Sequence, residues 1–192
     1  MSRIGILAVQ GAFARHADML AALGHEAVFI RAPADFRALE GLVLPGGEST
    51  VQLQLIDRLL LRPELESFLA SGKPVLATCA GLILLARQVS HPEQPSFATL
   101  DVAVTRNAWG RQLDSFEAES DGPEPLPLVF IRAPRIDRVG EAVEVRARFR
   151  GEPVLVRQAS ITAATFHPEL ASDPRVHASV FGRASGAITR SA

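Results

Sequence analysis

The chain has 192 residues, a net charge of −1 with both signs scattered along it, 47% hydrophobic residues and one cysteine. That length buries a core without staples, one cysteine excludes an internal disulfide, and no Cys/His cluster has the spacing of a structural zinc site. No basic stretch points to nucleic acid and the longest apolar run, residues 74–86, is too short for a membrane span, so a cytoplasmic protein without metal or cofactor is expected.

Residues 3–9 (RIGILAV) imitate a signal peptide only briefly, because Gln10-Gly11 ends the run and an amphipathic pattern follows. They are read as a first strand. Ala17, Leu20 and Ala21 then fall at helical spacing over 13–23, closing at Gly24. A second strand over 27–31 leads to a short helical piece at 35–39. A third, 41–44, runs directly into Pro45-Gly46-Gly47-Glu48-Ser49-Thr50. Helical patterns over 51–61 and 63–70 precede a fourth strand at 74–78, and a helix over 81–88 follows Cys79. Strand and helix alternate four times, which predicts an α/β three-layer sandwich around a mostly parallel sheet.

Beyond residue 89 the pattern becomes strand-like. Strands are expected at 100–104, 128–131, 142–147, 154–158 and 161–166, with an exposed acidic, proline-rich loop at 117–127. His167-Pro168-Glu169 follows the last strand, and residues 174–181 read as a closing helix with Pro174 at its first turn. There is no internal repeat and no dividing linker, so one domain over 1–192 is expected.

In an open α/β sheet, ligands sit beyond the carboxyl ends of the strands, and three loops would meet there. Cys79 lies where strand gives way to helix, an elbow that presents a side chain outward beside the unpaired N–H groups of the first helical turn. A lone cysteine is ordinarily a small buried hydrophobe, and the other two loops argue otherwise. Pro45 to Thr50 brings two glycines that admit a ligand close to the backbone, then polar residues able to cap the next helix. It lacks the lysine and spacing of phosphate loops. At His167 the following proline favours extended geometry, in which side chains two apart share a face. Glu169 would then fix the His167 tautomer while the other ring nitrogen faces Cys79. His16, His25, His91 and His177 lack an adjacent carboxylate at a strand end and are read as structural or solvated.

The segments AVQGAF (8–13), LPGGEST (44–50), TCAGLILLA (78–86), RNAWGRQLDSFE (106–117), FIRAP (130–134) and FHPEL (166–170) resemble, in order and across nearly the whole chain, class I glutamine amidotransferases. More narrowly, they are similar to the family of glutaminase subunits of pyridoxal 5'-phosphate synthase. Ala77 stands where many amidotransferases carry glycine, and Trp109 where a smaller aromatic is expected. The resemblance implies a Cys79, His167, Glu169 triad hydrolysing L-glutamine to glutamate and ammonia. It further implies glutamine binding by Gly47, Glu48, Ser49, Arg106, Ile131 and Arg132, with the backbone N–H groups of Gly47 and Ala80 as the oxyanion hole. An arginine fork suits the α-carboxylate of glutamine, although an arginine's commonest fate is a surface salt bridge. Because no acceptor domain is read in the chain, the ammonia is expected to pass to a synthase subunit, a barrel protein in stacked hexameric rings. Rival readings are a glutaminase for another pathway such as histidine or purine synthesis, another cysteine hydrolase on the same elbow such as a peptidase, and a non-catalytic assembly subunit.

Overall fold

The computed structural model describes residues 1–106, 108 and 115–183. In chain order the elements are β1 (Arg3–Leu7), α1 (Phe13–Ala22), β2 (Glu26–Ile30), a 3-10 turn (Pro33–Phe36), β3 (Gly41–Leu44), α2 (Ser49–Arg58), α3 (Arg62–Ala70), β4 (Val75–Thr78) and α4 (Ala80–Leu85). Then follow β5 (Ala86–Ser90), β6 (Leu100–Thr105), β7 (Phe116–Glu119), β8 (Pro127–Phe130), β9 (Arg135–Val139), β10 (Glu144–Phe149), β11 (Glu152–Gln158), β12 (Ile161–Ala164), a second 3-10 turn (Pro168–Leu170) and α5 (Arg175–Phe181).

The main sheet has the order β10-β11-β12-β4-β3-β1-β2. From β12 to β2 every neighbour is parallel, and β10 and β11 extend one side as an antiparallel hairpin. Strands β3, β4 and β12 are buried at every position because both faces are covered, and alternate residues feed different cores. Leu42 and Leu44 of β3 and Val75 and Ala77 of β4 pack with α2, α3 and α4 on one face. Val43 and Leu76 face the other way, toward Leu20 of α1, Val176 of α5, and Leu128 and Phe130 of β8. This is the expected three-layer α/β arrangement with a mostly parallel sheet.

Several local expectations need correction. The helix after Cys79 ends at Leu85, and Ala86, at ψ 140°, turns the chain into β5, which pairs with β6. The expected loop at 117–127 is in its first part the strand β7, held by pairing with β8 and by Phe116 stacked on Phe130 at 4.8 Å. Strand β9 lies where none was expected, antiparallel to β6. The helical piece expected at 35–39 is the 3-10 turn Pro33–Phe36.

The topology fixes where the loops meet. In the parallel register Thr78 lies beside Ala164, and Leu44 beside Ala77. The residues that follow β12, β4 and β3 therefore emerge at one rim of the sheet, joined by those that follow β1. Cys79 N–H donates to Ala164 O at 2.9 Å, and Ala12 N–H donates to Gly46 O at 3.0 Å.

Candidate active site

Cys79 sits at φ +48° and ψ −101°, in the left-handed region. A non-glycine residue held there costs about 1–3 kcal/mol, an expense concentrated at functional sites. The elbow is possible because Gly81 lets α4 lie against β3: a Cβ there would come 2.1 Å from Leu44 O. Ala77 carries its methyl in the core, within β4 and before the strained residue. Its departure from glycine therefore leaves the turn itself untouched.

Three residues beyond β12, His167 sits at φ −106° and ψ 84°, and the chain then closes into the 3-10 turn with Leu170 N–H bonded to His167 O at 3.2 Å. Glu169 reaches the ring through this turn and not along an extended segment as the proline suggested. Its Oε1 lies 2.7 Å from His167 Nδ1, with both side chains nearly inaccessible. That leaves Nε2 for Cys79, which borders the same cavity as the ring. Burial alone would lower the His167 pKa, but the hydrogen bonds to Cys79 and Glu169 and the charge of both raise it to about 10. Burial opposes ionisation of Glu169, and His16 and His167 outweigh it and hold its pKa below the usual carboxylate range. At neutral pH the line is an imidazolium between a carboxylate and a sulfur.

Cys79 and His167 open into a cavity of about 250 Å³ that Gln10, Gly46, Gly47, Glu48, Ser49, Arg106, Ile131 and Arg132 also border. Of the residues singled out from sequence, Glu169 and Ala80 do not line it. Glu169 lies behind the ring, and Ala80 is buried directly after the nucleophile position. The Sγ of Cys79 lies 3.9 Å from the carbonyl oxygen of Ile131. Arg106 donates to Glu48 Oε1 at 2.8 Å, and Glu48 Oε2 caps α2 by accepting from Val51 N–H at 3.0 Å. The glycine loop is braced by Gln10, whose Oε1 accepts from Glu48 N–H at 2.8 Å. Ser49 Oγ donates to Gln94 Oε1 at 2.9 Å. Trp109, singled out as a departure, lies outside the described residues, as does most of the segment from 107 to 114. A wider groove bordered by Gln88, Glu93 and Gln94 contains neither Cys79 nor His167.

Sequence reasoning missed His16 and His177. Both are buried, with His16 Nε2 3.4 Å from Glu169 Oε2 and His16 Nδ1 2.9 Å from His177 Nε2. The carboxylate that His16 lacks in sequence is supplied by the fold.

Residues 6–184 match the family described as the SNO glutamine amidotransferase family. The pyridoxal 5'-phosphate synthase subunit PdxT of Koribacter versatilis is 48% identical over 178 residues, covering 91% of this chain and 92% of that one. The subunit PdxT of Kosmotoga olearia is 43% identical over 180 residues, covering 91% of this chain and 94% of that one. A crystal structure of a glutamine amidotransferase superposes with a TM-score of 0.86 at 42% identity, covering 92% of this chain and 96% of that one.

Proposed function

The chain belongs to the SNO glutamine amidotransferase family, and from that premise we propose how its residues release ammonia from L-glutamine. It is a glutaminase subunit of the pyridoxal 5'-phosphate synthase type, working with a synthase subunit.

In the proposed reaction Cys79 Sγ, its proton already passed to His167, attacks the carboxamide carbon, forming a tetrahedral adduct whose oxyanion accepts from the N–H groups of Gly47 and Ala80. Gly46 O is tied to Ala12 N–H, so the trans peptide directs the Gly47 N–H to the opposite side. His167, already protonated, gives its Nε2 proton to the departing nitrogen, and ammonia leaves a γ-glutamyl thioester on Cys79. The neutral ring then takes a proton from water, which attacks the thioester and releases glutamate. Glu169 holds the ring and offsets its positive charge throughout. Arg106 takes the α-carboxylate, Glu48 and the Ile131 carbonyl take the α-ammonium, and Ser49 and Arg132 close the site around the substrate.

The observation that carries these roles is the line from Glu169 through His167 to Cys79 at the edge of a cavity sized for a free amino acid and bordered by a charge pair. We assign the whole chain to one domain and to the cytoplasm; separately, no described helix is long and apolar enough to cross a membrane. We further propose that the synthase partner forms a ring complex whose docking sets the Gly46-Gly47 loop and Gln10. The test is to mix the protein with the synthase subunit and glutamine and measure glutamate and pyridoxal 5'-phosphate. Both products should appear, and Cys79→Ala should abolish both unless free ammonia is supplied, which restores only the second. Equal glutamate release with and without the synthase would remove the docking step.

A further inference from the structure

Behind Glu169 the polar chain continues into the core. His16 on α1 and His177 on α5 are each 0% exposed. His16 Nε2 faces Glu169 Oε2 at 3.4 Å and Thr78 Oγ1 at 3.3 Å, while its Nδ1 meets His177 Nε2 at 2.9 Å. Among the described residues, Glu169 Oε2 and His177 Nδ1 have no hydrogen-bond partner within ordinary distance. The reaction described above uses neither imidazole, and two buried rings are costly to desolvate unless their polar atoms are matched.

A proton count settles how they are matched. Burial lowers the His16 pKa against the pull of Glu169, and burial together with His16 takes His177 down to about 3, so both rings are neutral at neutral pH. One proton therefore lies between His16 Nδ1 and His177 Nε2. If His16 carries it, the lone pair on its Nε2 can accept from the Thr78 hydroxyl but also faces the Glu169 carboxylate, which then gains no donor from the ring, and His177 is left with an orphaned N–H. If His177 carries it, the Nε2–H of His16 faces the anionic oxygen, and only a ring acceptor is orphaned at His177 Nδ1. Buried orphan N–H groups are rarer than under-satisfied acceptors, and a buried carboxylate needs donors. The second arrangement wins at both ends.

We propose that His16, its tautomer fixed by His177, is a positioning residue for the glutaminase reaction: its Nε2–H holds the outer oxygen of Glu169 so that the inner oxygen stays on His167 Nδ1. The inference rests on the roles assigned above to Cys79, His167 and Glu169. The 3.4 Å separation is long for a hydrogen bond, as contacts of catalytic groups often are before substrate tightens them. The same ring reaches the glycine loop, because Thr78 Oγ1 accepts from Gly46 N–H at 3.0 Å while Ala12, just before α1, donates to Gly46 O. Helix α1 thus ties the carboxylate behind the imidazole to the Gly46 peptide beside it.

The tautomer is read by two-dimensional nitrogen–proton NMR on histidine-labelled protein at neutral pH. Both His16 and His177 should carry the proton on Nε2, and a proton on His16 Nδ1 overturns the proposal. In the complex with the synthase subunit, His16→Leu should lower kcat roughly 10- to 100-fold with KM unchanged, the scale of one hydrogen bond to a charged group. His16→Gln keeps an N–H near the Nε2 position and should recover most of the loss. An unchanged kcat in His16→Leu, or His16→Gln no better than His16→Leu, refutes it. The tautomer measurement on the unaltered protein decides the matter should His16→Leu not fold. A wild-type protein that releases no glutamate would instead defeat the assigned reaction, and ring protonation is read without turnover, so the two failures are told apart.

Discussion

Gly46 offers a perturbation that separates catalysis from folding. A Cβ built there would lie 2.2 Å from His167 Cε1, 2.8 Å from Nδ1 and 3.2 Å from Nε2. Carbon atoms in ordinary contact stay about 3.5–4.0 Å apart, so in Gly46→Ala the imidazole must retreat by more than about 1 Å. The backbone at Gly46 is not in the left-handed region, so alanine suits the chain and only the ring is in the way. The ring has little freedom, because its Nδ1 is held by Glu169 at 2.7 Å and the backbone N–H of His167 donates to Val129 O at 2.8 Å. Overpacking of this kind costs about 1–3 kcal/mol of stability, tolerable for a domain of this size. A displacement of about 1 Å in a reacting group costs about 100-fold in rate. The expected result is a folded protein whose kcat for glutamate release, measured from initial rates in the presence of the synthase subunit, falls about 100-fold. Urea unfolding supplies the stability change in parallel. Gly81→Ala is the contrast, since its Cβ would meet the Leu44 backbone at 2.1 Å in the middle of the sheet and should prevent soluble expression. A Gly46→Ala enzyme within about threefold of wild-type kcat would refute the placement of His167 against the glycine loop.

Four further outcomes are expected. Arg106→Ala should raise KM for glutamine by about 10-fold or more with a smaller effect on kcat, since a charge-assisted contact to the substrate carboxylate is lost; steady-state kinetics with the synthase decide it. The His167 pKa is raised from 6.5 to about 10, so its contribution to stability is full below pH 6.5 and is lost as pH climbs through 10. Unfolding midpoints should fall over that interval, and less steeply in His167→Asn. His177 behaves oppositely: with its pKa lowered to about 3, stability is full above pH 6.5 and is lost as pH falls toward 3. His177→Gln should flatten that acid limb in urea melts. Phe130, 1% exposed and packed with Phe116, Phe149 and Phe166, should cost about 3–5 kcal/mol when replaced by alanine, read from the shift in urea midpoint.

How far the sequence could be read depended on whether an element's neighbours were implied by its own residues. Strands β1, β3, β4 and β12 are buried on both faces, so predominantly apolar runs announce them, and the glycines and polar residues that follow mark the rim of the sheet. Strand β5 (ARQVS) carries exposed Arg87 and Gln88 and continues from α4 with no Gly or Pro between, so nothing local ends the helix; its pairing with β6 does. Strand β7 (FEAE) reads as acidic loop because one residue, Phe116, anchors it, and the rings of Phe130 and Phe149 that receive it come from other strands.

The two hidden histidines are the instructive middle case. Phe13, His16, Ala17 and Leu20 form one stripe of α1, and Val176, His177, Val180 and Phe181 one stripe of α5, so the helical period alone turns both rings toward the sheet. A ring that is polar at two atoms cannot lie in an apolar stripe without a partner, and neither stripe carries one. That mismatch was visible from residues alone as an unpaid requirement for buried polar contacts. What it could not disclose is that His16 and His177 satisfy each other, and that the remaining nitrogen of His16 falls beside the carboxylate which orients His167, because that meeting depends on α1 and α5 covering the same face next to the end of β12. A histidine at a core position of an amphipathic helix therefore marks a place where the fold must bring a second polar group, and in this chain the group it brings is part of the site itself.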